Sequence, residues 1–216
     1  MNRRERRRQE KETRQKAKAA PSMPGATAVD ARTAEAFNTA LALQQAGRLA
    51  EAEHAWETLR AELPDHDGIN INLATVLWRL GRMQDAAAAC RRAIDGNPNL
   101  AEGYAMLGAI LQAQGDDRGA VVNLERAVNL KPDIVTAWVQ LAGLYKQHDD
   151  LDRAMAACAQ AEALEPGRAD VLNTKGLVHQ ARREWTDAEA ALRSAAAGVQ
   201  AGQPRAQIET NLAAQY

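Results

Sequence analysis

Small and large apolar residues recur along this chain on a ruler of 34 positions. Units counted from residue 33 run 33–66, 67–100, 101–134, 135–168 and 169–202. The eighth place of each unit then reads Ala40, Ala74, Gly108, Ala142 and Gly176, and the twentieth Ala52, Ala86, Ala120, Ala154 and Ala188. Larger side chains fill neighbouring places: Leu43, Leu77, Leu111, Tyr145 and His179 at the eleventh, Trp56, Cys90, Leu124, Cys158 and Leu192 at the twenty-fourth. Places 4, 7, 8 and 11 share one face of a helix, and places 20, 24 and 27 one face of a second. The pattern predicts a helical hairpin in every unit, with the two tiny columns marking where its backbones approach most closely.

Punctuation follows the same ruler. Pro64, Pro98, Pro132 and Pro166 stand at place 32, where a missing backbone donor and a steric clash stop the second helix. Gly47, Gly81 and Gly115 at place 15 suit a left-handed residue ending the first helix. Asp65, Asn99 and Asp133 follow three of the prolines and are predicted to cap the next helix. Thr39 and Lys175 interrupt the apolar seventh place and Gln200 replaces a proline, as expected of terminal units that face water on one side. The stretch "TNLAAQY" restates places 6, 7, 8 and 11 with Asn211, Leu212, Ala213 and Tyr216. It predicts a capping helix over 203–216, or the opening of a sixth unit.

With this period and these columns the chain resembles the tetratricopeptide repeat (TPR) family. The best single unit is 101–134, with Tyr104, Leu107, Gly108, Ala120, Ala127 and Pro132, and the resemblance extends over 33–202. It implies an all-α, right-handed solenoid of five TPR helical hairpins with a C-terminal capping helix. "ALALQQAGRLAEAEHAW" further resembles repeats attached to bacterial O-linked N-acetylglucosamine transferase-like proteins. The resemblance also implies that places 2, 5, 6, 9, 12 and 13 of the first helices line a concave surface for a protein or peptide partner.

Place 6 reads Asn38, Asn72, Met106, Gln140, Thr174 and then Asn211. A carboxamide both donates and accepts, so such a ladder can hold a peptide backbone with little regard to its side chains. Trp78 and Arg79 occupy places 12 and 13 of the second unit, where the indole is a candidate partner anchor or packs on the next hairpin. Phe37, Ile71 and Val139 at place 5 make the expected floor partly apolar, and Lys146 joins Arg79 as a basic group against Glu102 and Asp170. Repeats that clamp chaperone C-termini use Lys, Asn, Asn, Lys and Arg at places where this chain has Phe37, Leu41, Asn72, Glu102 and Met106. Only Asn72 fits, which argues against a chaperone-tail receptor.

Composition narrows the class. The chain is 46% hydrophobic, mostly alanine and leucine, with eight aromatic residues among 216. No run reaches the 18 or so apolar residues of a membrane span, and no apolar stretch follows the N-terminal charges, so a cytoplasmic location is expected. Residues 1–20 hold nine basic and three acidic residues, leaving 18 basic and 25 acidic in the rest. This basic, partly helical or disordered tail, with Pro21, Pro24 and Gly25 breaking a linker over 21–32, could attract nucleic acid or lipid headgroups by charge alone. It has neither an aromatic for base stacking nor an apolar face for a membrane.

Chemistry finds little purchase. Cys90 and Cys158 share a repeat place two units apart, too far for a disulfide, and read as buried structural thiols. "HDDLD" at 148–152 and "PDHDG" at 64–68 read as turns rather than metal sites. His179 falls at a packing place. No phosphate loop, metal-spaced pair or nucleophile motif is present, so neither enzymatic activity nor a cofactor is expected. The sequence therefore points to a scaffold or adaptor binding an extended peptide segment. The alternatives are an accessory specificity subunit of a separately encoded transferase and, more distantly, a tether acting through the basic tail.

Overall fold

The computed structural model describes residues 31–198. By its internal contacts the chain divides into residues 1–36 and 37–216. Of the first unit, the opening of helix α1 (Ala31–Gln45) is described. The second holds the remainder of α1, then α2 (Leu49–Glu62), α3 (Asp67–Arg79), α4 (Met83–Gly96), α5 (Ala101–Ala113), α6 (Asp117–Leu130), α7 (Val135–Gln147), α8 (Leu151–Leu164), α9 (Ala169–Ala181) and α10 (Trp185–Gly198). There is no strand among the described residues. The hairpins α3–α4, α5–α6, α7–α8 and α9–α10 pack internally, and each second helix packs on the first helix that follows it. This is a solenoid of five hairpins. The expected tail, linker and capping helix lie outside the described residues, as does Asn211.

The tiny columns sit where the helices cross. Ala52, Ala86, Ala120, Ala154 and Ala188 are all fully buried, as are Ala40, Ala74 and Ala142. A side chain on Gly108 would place its Cβ 2.7 Å from Leu124 Cγ and 3.2 Å from the Ala120 carbonyl oxygen. One on Gly176 would meet Leu192 Cγ at 2.7 Å and the Ala188 carbonyl at 3.3 Å. Glycine thus stands at place 8 where place 24 is leucine, and alanine where place 24 is cysteine or Trp56. In the last four units the two columns compensate each other in volume, as close packing requires, while Trp56, larger than leucine, departs from that exchange and packs edge-on against Phe37. Trp56, Leu124 and Leu192 are fully buried, and Cys90 and Cys158 are buried free thiols.

Every first helix ends in the same Schellman turn, in which two successive N–H groups reach back to carbonyls three and five residues earlier. Gly81 N–H donates to the Trp78 carbonyl at 2.8 Å and Arg82 N–H to Leu77 at 2.9 Å, and the other four units repeat the pair. The turn residue must be left-handed. Gly47, Gly81 and Gly115 have φ of 75°, 79° and 81°, while Asp149 and Arg183 are forced to 62° and 63° at the same place. "HDDLD" is therefore a turn: Asp149 supplies the left-handed residue and Asp150 caps α8 by accepting from Arg153 N–H at 3.2 Å.

The capping expectation at Asp65, Asn99 and Asp133 fails. The chain turns one residue further before each helix begins, so the N-caps are His66, Leu100 and Ile134. Only His66 bonds through its side chain, accepting from Ile69 N–H at 3.3 Å. Leu100 and Ile134 have no polar atom to offer. Place 4 secures the incoming chain in a different way: Asn70 Nδ2 and Trp138 Nε1 each donate to the preceding proline carbonyl, Pro64 and Pro132, at 2.8 Å. Carboxylate caps fall instead at the second helices, on Asp116 and Asp150.

Polar side chains join neighbouring units at intervals near 30 residues. Arg82 pairs with Glu53, Arg153 with Glu125 and Arg182 with Asp152. Gln147 likewise donates to Asp117 at 2.8 Å, whereas Asn97, donating to Asp67 at 2.9 Å, ties together the two ends of the second unit. Around Tyr145 the pairing is denser: its hydroxyl donates to Glu125 at 2.7 Å and accepts from Arg153 at 2.7 Å, with the guanidinium 4.1 Å from the ring centre. Burial, then the Glu125 carboxylate, push the phenol well above its ordinary range. Most of these pairs are exposed, so they align the units more than they stabilise them.

Candidate partner-binding groove

The first helices of the last three units leave a groove between them with a volume of about 690 Å³. Its lining comes from α5 (Gln112), α7 (Gly143, Lys146, Gln147), α9 (Thr174, Leu177, Gln180, Ala181) and the first residue of α10, Trp185. Apart from Trp185 these are places 6, 9, 12 and 13, the places at which the resemblance puts a partner. The helix period brings them together: places 9, 12 and 13 repeat on one face, and α7 and α9 pack side by side. Gly143 opens the floor, since nothing lies within 4 Å of where its Cβ would be.

The groove's polar groups differ in what already engages them. Gln147 donates to Asp117, and Thr174 hydroxyl to the Asp170 carbonyl at 2.9 Å. Gln112 and Lys146 are half-buried, and their side chains make no hydrogen bond or ion pair among the described residues. Trp185 is 55% exposed. A smaller hollow of about 410 Å³ lies beside Glu102, Lys131, Asp133 and Thr136. There Lys131 Nζ donates to Glu102 at 2.8 Å, and that bond holds the carboxyl below its ordinary range while raising the ammonium.

The residues singled out from sequence fall into three groups. Lys146 lines the groove, and Gln140 is half-buried on α7 with its carboxamide unengaged among the described residues. Asn38 is exposed on α1. Others are held by their own fold. Phe37 packs edge-on against Trp56, with ring centres 4.8 Å apart, so its ring belongs to the first hairpin's packing. Asn72 Nδ2 donates back to the Gly68 carbonyl at 2.8 Å, and Arg79 reaches across to the Gln44 carbonyl at 2.9 Å, tying α3 to the end of α1. Met106, the break in the ladder, accepts from Thr75 of the preceding unit at 3.7 Å. Val139 packs with Trp138 against Val135, Ala161 and Val171. Ile71 and Trp78 are half-buried on α3.

Two features escaped the sequence reading. Trp185 sits at place 17, on the second helix, and the first-helix pattern gives no reason to look there. Asn70 is fully buried, and its Oδ1 has no partner; its place is otherwise apolar or aromatic. His179 is 14% exposed and its Nδ1 lies 2.6 Å from Glu184, whose neighbour Asp187 completes a group of three within 4.8 Å. The Cys90 and Cys158 thiols are pushed up by burial to about 12 and about 11, leaving both protonated and inert. No described helix is long and apolar enough to cross a membrane.

Known proteins resemble the chain at several levels. FlbA of Caulobacter vibrioides is 31% identical over 108 residues, which cover 50% of this chain and 18% of FlbA. The chain thus spans less than a fifth of that relative's length. Among solved structures, MamA from Desulfovibrio magneticus RS-1 superposes with a TM-score of 0.70 at 18% identity, covering 78% of this chain and 95% of that one. YrrB, described as a TPR protein with an unusual peptide-binding site, gives 0.65 at 18% identity over 81% and 90% of the two chains. At such identities the likeness speaks for the fold. These matches bear on the repeat family as a whole and not on a transferase-associated subgroup. Tetratricopeptide repeat patterns match residues 37–101, 101–134 and 135–168. With the 34-residue columns, the hairpins and the shared turns, the chain belongs to the tetratricopeptide repeat family.

Proposed function

We propose that the chain is a non-enzymatic adaptor that binds an extended segment of a partner protein along its first helices, centred on the groove between α5, α7 and α9. What supports this reading is the lining: eight of the nine residues occupy inner places of three successive units, and Gln112 and Lys146 retain their full bonding capacity. Gln140 and Asn38 extend the carboxamide row, and Trp78 is a further anchor at the other end. A peptide-binding site in the similarly folded YrrB is consistent with this use of the fold. Binding would require little rearrangement, because the Schellman turns and alanine crossings fix the helices beforehand.

Gly143→Tyr is the direct test. The new ring projects into the groove and meets nothing of the protein's own at its base. The helix should be retained by circular dichroism while partners recovered by affinity purification and mass spectrometry are lost. Recovery of the same partners by both proteins would move the binding surface elsewhere. Replacing Asn38, Asn72 and Asn211 together by alanine tests the ladder, and unchanged affinity would remove it from the mechanism.

A further inference from the structure

Resting on that reading of the groove, we propose that it selects segments carrying an Asp or Glu side chain, received by Lys146, beside an apolar residue laid on Trp185. The argument begins with charge. The inner places of α3, α5, α7 and α9 carry Arg79, Glu102, Lys146 and Asp170. Arg79 donates to Gln44, Glu102 is bound to Lys131, and Asp170 accepts from Arg168 at 2.7 and 3.0 Å. Lys146 alone of the four has no partner among the described residues. Asp117, which faces the end of α7, accepts from Gln147 at 2.8 Å and lies 3.7 Å from His148.

The groove therefore presents one uncompensated positive charge, half-buried, between otherwise neutral walls. A carboxylate entering it forms a charge-assisted hydrogen bond, whereas a basic side chain meets like charge in a partly desolvated setting. The lining contains no arginine, so it lacks the planar fork that suits phosphate, and one ammonium matches a carboxylate better. Gln112 offers both a donor and an acceptor to the main chain of the same segment. Trp185 lines the same groove, more than half exposed, and supplies the apolar contact of an interface anchor.

The test uses a random-peptide display library on the full chain and on its Lys146→Glu, Trp185→Ala and Gly143→Tyr variants, each checked for native helicity. Wild type should enrich peptides with an acidic residue near an apolar one. Lys146→Glu should reverse the charge to Lys or Arg, and Trp185→Ala should relax the apolar position while keeping the acidic one. A synthetic peptide from the wild-type pool should bind Lys146→Glu about tenfold or more weakly. Neutral or basic enrichment, or a pool unchanged by Lys146→Glu, overturns the acidic selectivity; the groove reading survives if Gly143→Tyr still abolishes binding. A pool that Gly143→Tyr enriches equally, or no enrichment by wild type, overturns both.

Discussion

Adding one methyl group to a helix of this protein should stabilise it at Gly143 and destabilise it at Gly108. Both glycines lie in first helices, at adjacent repeat places, so the gain in intrinsic helix preference is the same, about 1 kcal/mol. At Gly143 the new Cβ meets nothing within 4 Å, and that gain is the whole effect. At Gly108 it would lie 2.7 Å from Leu124 Cγ and 3.2 Å from the Ala120 carbonyl oxygen. Ordinary carbon contacts lie near 3.5–4.0 Å, and Cγ is the branch point of a fully buried leucine, which cannot swing aside alone. Such overpacking costs roughly 1–3 kcal/mol, so the net change at Gly108 is a loss of up to about 2 kcal/mol.

The chain itself contains the compensation. Ala74 faces Cys90 and Ala142 faces Cys158 at the equivalent crossings, so Gly108→Ala combined with Leu124→Cys rebuilds a pair already used twice. Leu124→Cys alone leaves a cavity and is destabilising. Together the two changes should cost less than their sum by at least 1 kcal/mol. Urea titrations followed by far-ultraviolet circular dichroism give all four values. If Gly108→Ala stabilised the protein as much as Gly143→Ala, or if the double variant were additive, volume matching between places 8 and 24 would not be what selects these residues.

Other expectations are as direct. Arg183 holds the left-handed turn at φ 63° where three other units have glycine, so Arg183→Gly should raise the melting temperature by relieving about 1 kcal/mol of backbone strain, and Gly81→Ala should lower it. Movement of both in one direction would contradict the turn assignment. Asp150→Ala should cost about 1 kcal/mol by uncapping α8, whereas Asp133→Ala should change denaturant midpoints by only a few tenths; equal losses would restore Asp133 as a cap. Burial raises both thiols, so the unfolded chain releases their protons first as pH climbs past the ordinary thiol range. Stability is therefore intact below about pH 8.5 and falls toward the raised values near 12 and 11, by up to about 1.4 kcal/mol per pH unit for each thiol. The Cys90→Ala, Cys158→Ala double variant should flatten that slope between about pH 9 and 10, and an unchanged slope would assign it to other groups.

The columns of the repeat were legible because each is set by a contact that every unit must make. Place 8 touches place 24 whatever the partner is, so Gly108 and Ala142 answer to the same geometry, and place 15 must be left-handed even when it is Asp149. A cap is different, because any group reaching the bare amides will serve. The sequence offered Asp65, Asn99 and Asp133 on composition, but a single residue of extra turn moved the cap to His66, Leu100 and Ile134. The groove was harder still. Its places could be listed from the repeat, yet Phe37, Asn72, Arg79 and Met106 qualified by place and are each engaged within the fold, through contacts to Trp56, Gly68, Gln44 and Thr75. Trp185 belongs to the groove without qualifying by place. A binding surface is what remains after a protein's own side chains have taken their partners. That subtraction depends on contacts inside a helix, across a hairpin and, for Arg79 with Gln44 and Met106 with Thr75, between units; no column of the repeat records them, and it is why Lys146 could be named from the sequence while its isolation from every inner carboxylate could not.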